Sequence, residues 1–153
     1  SLTIGRWLLD RVRRDVPALL FGVSADASAR RCAEIGAALA ARAPRVALLG
    51  TGDGSARRSV KGPGYRDERA EPFDARVASA LRAGDPGALA DLDADLAAAL
   101  LVAGRATWQV LAGAAAGQVW RGELTYEAAP YGVTYLVASW RAPAHPELSD
   151  SPG

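Results

Sequence analysis

Apolar runs of about six residues alternate with segments whose apolar positions recur every three or four residues, and that alternation predicts the elements. Leu2 to about Arg14 has helical spacing, with Ser1 available as its cap. Pro17 breaks the pattern, and Ala18-Leu19-Leu20-Phe21-Gly22-Val23 reads as a short buried strand. Ser24 or Asp26 then caps a helix to about Ala43, with Cys32, Ile35, Gly36 and Leu39 inward and Arg30, Arg31 and Glu34 outward. Pro44 closes it, and Arg45 to Gly50 makes a second buried strand. Strand, amphipathic helix and strand in succession form a βαβ unit, whose strands are expected to lie parallel with a right-handed crossover.

Beyond residue 72 the pattern turns helical, with Phe73, Val77, Ala80 and Leu81 on one face and Gly84 as its end. Asp85-Pro86 supplies a cap followed by proline at the first helical position, which starts a short helix through Leu89 and Leu92. One or two alanine-rich helices follow between Leu96 and Ala116, with Gly104 and Gly113 as breaks or close-packing points. Val119 to Glu127 alternates, with Trp120, Leu124 and Tyr126 on one face, and Tyr131, Val133, Tyr135 and Val137 alternate likewise. Ala128-Ala129-Pro130 links them as an antiparallel pair. The expected fold is α/β: a mostly parallel sheet flanked by helices, with an antiparallel C-terminal strand pair. Residues 1–142 form one domain, and 143–153 a Pro- and Ser-rich flexible tail.

At 153 residues the chain is long enough to bury a core without staples. Its single cysteine, Cys32, excludes an internal disulfide or a cysteine-rich zinc cluster; its place on a helical face reads as a packed core thiol, and the cytoplasm is the expected compartment. A formal net charge of +1 gives no reason to expect nucleic acid or an anionic membrane as partner. The cluster Arg11, Arg13 and Arg14 falls where cations complement a helix C-terminus. No apolar stretch reaches the ~20 residues of a membrane span. The lone histidine, His145, lies in the tail, where no proton-transfer geometry is held. The chain opens directly on a helix, without an initiator Met, as if inside a fold, so an upstream segment or a second copy is expected to complete it.

Between the second strand and the next helix lies "GTGDGSARRSVKGPGYRDERAEPFD", residues 50–74, a length typical of ligand-handling or disordered loops. It departs from the edge where ligands of parallel sheets sit. It is no Walker loop, for Gly-Lys-Ser/Thr is absent; no dinucleotide fingerprint, for Ser55 stands where the third glycine belongs; and no nucleophile elbow, since Ser55 falls one step late. Arg57, Arg58, Lys61, Arg66 and Arg69 form either an anion clamp or, matched by Asp53, Asp67, Glu68, Glu71 and Asp74, a salt-bridged surface.

The order apolar strand, Thr51-Gly52-Asp53-Gly54-Ser55-Ala56, Gly62-Pro63, Phe73-Asp74 and Gly84-Asp85-Pro86, closing on "YGVTYLVASW" at 131–140, resembles the C-terminal part of the catalytic subunit of class III extradiol ring-cleavage dioxygenases, the LigB-like superfamily. The resemblance covers roughly residues 2–140. It implies a non-haem Fe(II) held by two histidines and a glutamate, a catecholate substrate, and a further histidine as acid/base. Ala56 stands at that histidine's position, and Leu96 to Trp120, where the glutamate is expected, contains no acid. The two histidine ligands belong to a segment before Ser1. Two readings follow: a catalytically degenerate LigB-like domain retaining a cleft for a small ligand, such as an aromatic acid, or for assembly; and an active Fe(II) dioxygenase whose ligands lie upstream or on a partner chain. This chain alone is expected to supply no cofactor site. On the first reading Gly52 and Gly54 bring the backbone close to a ligand, Asp53 and Ser55 offer an acceptor and a hydroxyl, and Arg57 faces an anionic substituent. The structural alternative has Asp53 capping its own turn.

Overall fold

The computed structural model describes residues 2–12 and 17–143; the expectations for Arg13, Arg14, His145 and the tail from residue 144 lie outside them. Among the described residues six helices and a two-stranded antiparallel sheet are formed: α1 (Leu2–Val12), α2 (Ala29–Ala40), α3 (Ala70–Ala83), α4 (Pro86–Ala90), α5 (Ala94–Ala99), α6 (Arg105–Ala115), β1 (Arg121–Ala128) and β2 (Tyr135–Arg141).

Local chemistry sets the helix ends. Ser28, neither Ser24 nor Asp26, caps α2, its Oγ accepting from the Arg31 N–H at 3.2 Å. Asp26 is engaged instead by the Ser24 hydroxyl, inside the preceding turn. Asp85 caps α4 through the Ala88 N–H at 3.0 Å, with Pro86 in the first turn as the sequence predicts. Asp93 caps α5 through the Leu96 N–H at 2.9 Å. Gly84 ends α3 with φ +67°, a left-handed conformation that glycine adopts without a Cβ penalty.

The main core gathers Phe73, Val77 and Leu81 of α3, Leu89 and Leu92 around α4, Leu100, and Trp108 of α6, covered on one side by Leu124, Leu136, Ala138 and Trp140 of the hairpin. A second, smaller cluster holds Cys32 of α2 against Ala106 and Val110 of α6. Cys32 is fully buried, and burial pushes its thiol upward, so the thiolate is disfavoured. The α2–α6 contact is made by small residues: a Cβ on Gly36 would stand 2.1 Å from the Val110 carbonyl oxygen, and one on Gly113 2.5 Å from the Ala33 Cα.

The hairpin pairs Arg121 with Arg141 and Ala128 with Tyr135, with a bulge between Leu124 and Tyr126. The bulge changes the predicted face. Leu124 packs on the core while Tyr126, two positions on, is exposed, because the extra residue reverses the alternation. On β2 the core side is Leu136, Ala138 and Trp140, and Val137 faces solvent. Trp140 Nε1 donates to the Leu81 carbonyl at 2.7 Å, tying the sheet to α3.

Residues 18–23 and 45–50, expected as parallel strands, are joined by no ladder; the only sheet among the described residues is β1–β2. Neither run exchanges a backbone hydrogen bond with another described residue. Their side chains are not buried: Leu19, Leu20, Phe21, Val46, Leu48 and Leu49 are all exposed, as are Ile4, Trp7 and Leu8 of α1. The sequence pattern of buried strands is present, but what would bury them is not among the described residues. None of the described helices is long and apolar enough to cross a membrane.

Candidate functional site

The long loop is held by one carboxylate. Asp74 lies on the inward stripe of α3, beside Phe73 and Val77, and is fully buried. Its Oδ1 accepts from the Ser55 N–H at 2.9 Å; its Oδ2 accepts from Ser55 Oγ at 2.5 Å and Thr134 Oγ1 at 2.6 Å. Arg58 Nη1 stands 3.5 Å from the same oxygen. Backbone bonds extend the junction: Gly54 N–H to Thr134 C=O at 2.8 Å, Thr134 N–H to Ser55 C=O at 2.9 Å, and Arg58 N–H to Gly132 C=O at 3.1 Å. Loop, helix and hairpin therefore meet on a single carboxylate with both oxygens hydrogen-bonded.

The predicted site residues separate into two groups. Ser55 and Gly54 are buried, and the Ser55 hydroxyl is engaged by Asp74, so neither faces a ligand. Gly52 and Asp53 are exposed and lie against the start of α6: the Gly104 N–H donates to the Asp53 C=O at 2.8 Å, and a Cβ on Gly52 would stand 2.5 Å from the Gly104 Cα. The glycines thus serve a close backbone crossing. No hydrogen bond to the Asp53 carboxylate occurs among the described residues, which leaves the turn-capping alternative without its bond.

Arg57 is half-buried and forms no ion pair with a described residue. Its Nε is a buried donor without a partner, the one such side-chain nitrogen or oxygen among the described residues. The other loop charges are partly matched, Arg69 with Asp67 at 2.7 Å and Arg58 with Glu71 at 3.9 Å. Arg58, Arg66, Asp67, Glu68 and Glu71 line a polar recess of about 190 Å³, whose mixed charge selects no ligand sign.

The Arg69 guanidinium, with its backbone N–H, holds the Asp67 carboxyl down to about 2. A depressed pKa adds stability that is fully present above the ordinary carboxylate value of 3.8 and is lost as pH falls through about 2. Titration of the Asp67 side chain by NMR is expected to show a midpoint near 2 in the parent and a higher one, still below 3.8, in Arg69→Ala, which loses the guanidinium but keeps the backbone N–H. An unchanged midpoint in the variant would assign the depression to another group.

Thr134 is not among the residues that the sequence singles out, and Asp74 and Arg58 enter there only as members of the loop's balanced charge set. Asp74 did leave a signal, a lone carboxylate on an otherwise apolar helical stripe, and such a group is buried only with partners. Thr134 left none, because its partner lies 60 residues away.

No family model, no curated protein and no solved structure matches this chain. The Fe(II) that the LigB-like resemblance implies can be tested against the residues present, and they do not fit it. Ala56 offers no proton, α6 opens with the cation Arg105 and carries no acid, and no three His, Cys, Asp or Glu side chains among the described residues come together as a metal-holding group.

Proposed function

We propose that the chain is a LigB-like domain, of the class III extradiol dioxygenase type, that binds a small aromatic acid at the mouth of the Gly52–Arg57 loop and holds no iron with its own side chains. The observation that carries this reading is the unpartnered Arg57 Nε. A buried N–H donor without an acceptor is costly unless water or an anion meets it, and a carboxylate matches the guanidinium fork. The exposed Asp53 adds an acceptor on the same short segment. Because Asp74 fixes the loop beforehand, binding at its surface loses little ordering entropy.

The test is calorimetric titration of the chain with benzoate and 4-hydroxybenzoate. Arg57→Ala is expected to weaken binding by roughly tenfold to a hundredfold, the range of a hydrogen bond to a charged group. Asp53→Ala weakens 4-hydroxybenzoate more than benzoate, and both variants keep the parent melting temperature. No binding by the parent, with a lower melting temperature in Arg57→Ala, would reduce the loop to a structural element. Iron-dependent dioxygen uptake with catechol would favour the ring-cleaving alternative.

Assembly is a second reading, favoured by the exposed apolar side chains of 18–23 and 45–50 and by a backbone there that pairs with no described residue. In it, these runs become the parallel strands of the full α/β sheet once a second copy or a further segment pairs with them. Light scattering on the same samples gives the number of copies; a dimer supports the second copy, and a well-behaved monomer argues against it.

A further inference from the structure

The first turn of α6 holds a buried cation that the loop site does not use. Arg105 is 4% exposed, yet it forms no ion pair with any described residue. Its Nη1 donates to the Ala27 carbonyl and, at 2.9 Å, to Gln109 Oε1, and its Nη2 donates to the Ala25 carbonyl. A guanidinium has five N–H donors. Three are engaged here; the Nε–H and one Nη2–H have no partner among the described residues, and the Nε, unlike that of Arg57, is not closed off from solvent. Asp26, close in sequence to these carbonyls, is exposed and is held down chiefly by the Ser24 hydroxyl, with Arg105 the smallest influence on it.

The same arginine forms part of the wall of an open cleft of about 320 Å³ between the 25–27 turn and α5. The rest of the lining is apolar, with Ala25, Ala94, Ala97, Ala98 and Val102 among it. A largely buried cation without an ion-pair partner is unfavourable, and three carbonyl-type acceptors satisfy hydrogen bonds without cancelling charge. The start of α6 adds to the positive character, for it has no side-chain cap and no acid in its first turn.

We propose that this cleft is a second binding site, for a monocarboxylate with an apolar body such as an aromatic acid, its carboxylate seated on the Arg105 Nε–H and Nη2–H. Alanine methyl walls suit a ring or a short acyl chain, and a single cation in an apolar setting favours one negative charge over a phosphate's two. The proposal goes beyond the loop reading and does not require Arg57.

NMR titration with benzoate, and with neutral benzamide as control, tests it on the parent and on Arg57→Ala. Saturable benzoate shifts are expected at the methyls of Ala94, Ala97 and Ala98 and at the Arg105 Nε–H in both proteins, with benzamide weaker by at least about tenfold. Arg105→Lys is expected to weaken benzoate about tenfold, since an ammonium lacks the planar fork. Ala98 is exposed, so Ala98→Phe fills the cleft without disturbing the bonds of Arg105, and it should abolish the shifts while leaving the melting temperature unchanged. Absence of shifts at these positions in the parent, equal binding of benzamide, or undiminished binding in Ala98→Phe would overturn the proposal. Benzoate shifts confined to residues 52–57 would overturn it while upholding the loop site, and shifts at the cleft unaffected by Arg57→Ala would uphold it whatever the fate of the loop.

Discussion

Asp74→Ala is expected to destabilise the domain by about 3–5 kcal/mol, the largest loss of any single substitution considered. The variant removes the acceptor of the Ser55 N–H, the Ser55 hydroxyl and the Thr134 hydroxyl together, and leaves Arg58 without its buried partner. Ser55 and Thr134 are themselves at most 1% exposed, so water does not replace what they lose without opening the junction. For a chain of this size that corresponds to a fall in melting temperature of roughly 10 °C or more. Asp74→Asn keeps the shape and one acceptor for the Ser55 N–H, but sets an amide against two hydroxyls, and about half the loss is expected. Urea denaturation of both variants gives the measurement. A loss below about 1 kcal/mol for Asp74→Ala would show that the junction is not what orders the loop.

Gly36→Ala is the second large effect, and its sign is the informative part. In an exposed helix interior the change from glycine to alanine stabilises by about 1 kcal/mol. Here the added methyl would meet backbone: the Val110 carbonyl oxygen at 2.1 Å, the Ala114 nitrogen at 2.6 Å and the Gly113 carbonyl carbon at 2.9 Å. Backbone has no rotamer to change, so α2 and α6 must separate, at a cost of about 3 kcal/mol or more. Gly113→Ala meets Ala33 backbone in the same crossing and is expected to act in the same direction. The double variant should cost less than the sum, because the first substitution has already spread the helices. Cys32 supplies an independent readout: it lies at this contact with its thiol fully buried, and thiol labelling should accelerate in Gly36→Ala. Stabilisation by Gly36→Ala would mean that the helices do not cross this closely in solution.

Helices with strong local signals were legible from the sequence. Asp85-Pro86 and Gly84 mark their boundaries by side-chain capping and backbone permissiveness, and both act as expected. Ser24 and Asp26 misled because their hydrogen bond to each other serves the turn, leaving Ser28 to cap α2. The hairpin was legible as a pair, but the bulge at Leu124/Tyr126 was not, since one inserted residue leaves no compositional mark and reverses every later position. The runs 18–23 and 45–50 have the composition of buried strands, yet composition reports what a segment requires and not what covers it. In the loop, Gly52 and Asp53 lie exposed and Arg57 half-buried, whereas Ser55 turned inward because a carboxylate 19 residues later demanded donors. Arg105 was hidden for the converse reason: a single arginine at the head of an alanine-rich helix looks like surface until its carbonyl partners, about 80 residues earlier, are seen.

The spacing of the Asp74 partners also sets an order in time. Ser55 precedes Asp74 by 19 residues and Thr134 follows it by 60, so the junction cannot close until the second strand of the hairpin is about to be made. At typical rates of synthesis those 60 residues take roughly 3 to 12 seconds to emerge. Until then Asp74 lacks the Thr134 hydroxyl and has only the two Ser55 donors and Arg58 to meet its charge. The loop therefore reports that the chain has reached the hairpin: a product truncated before residue 134 lacks the Thr134 bond to Asp74.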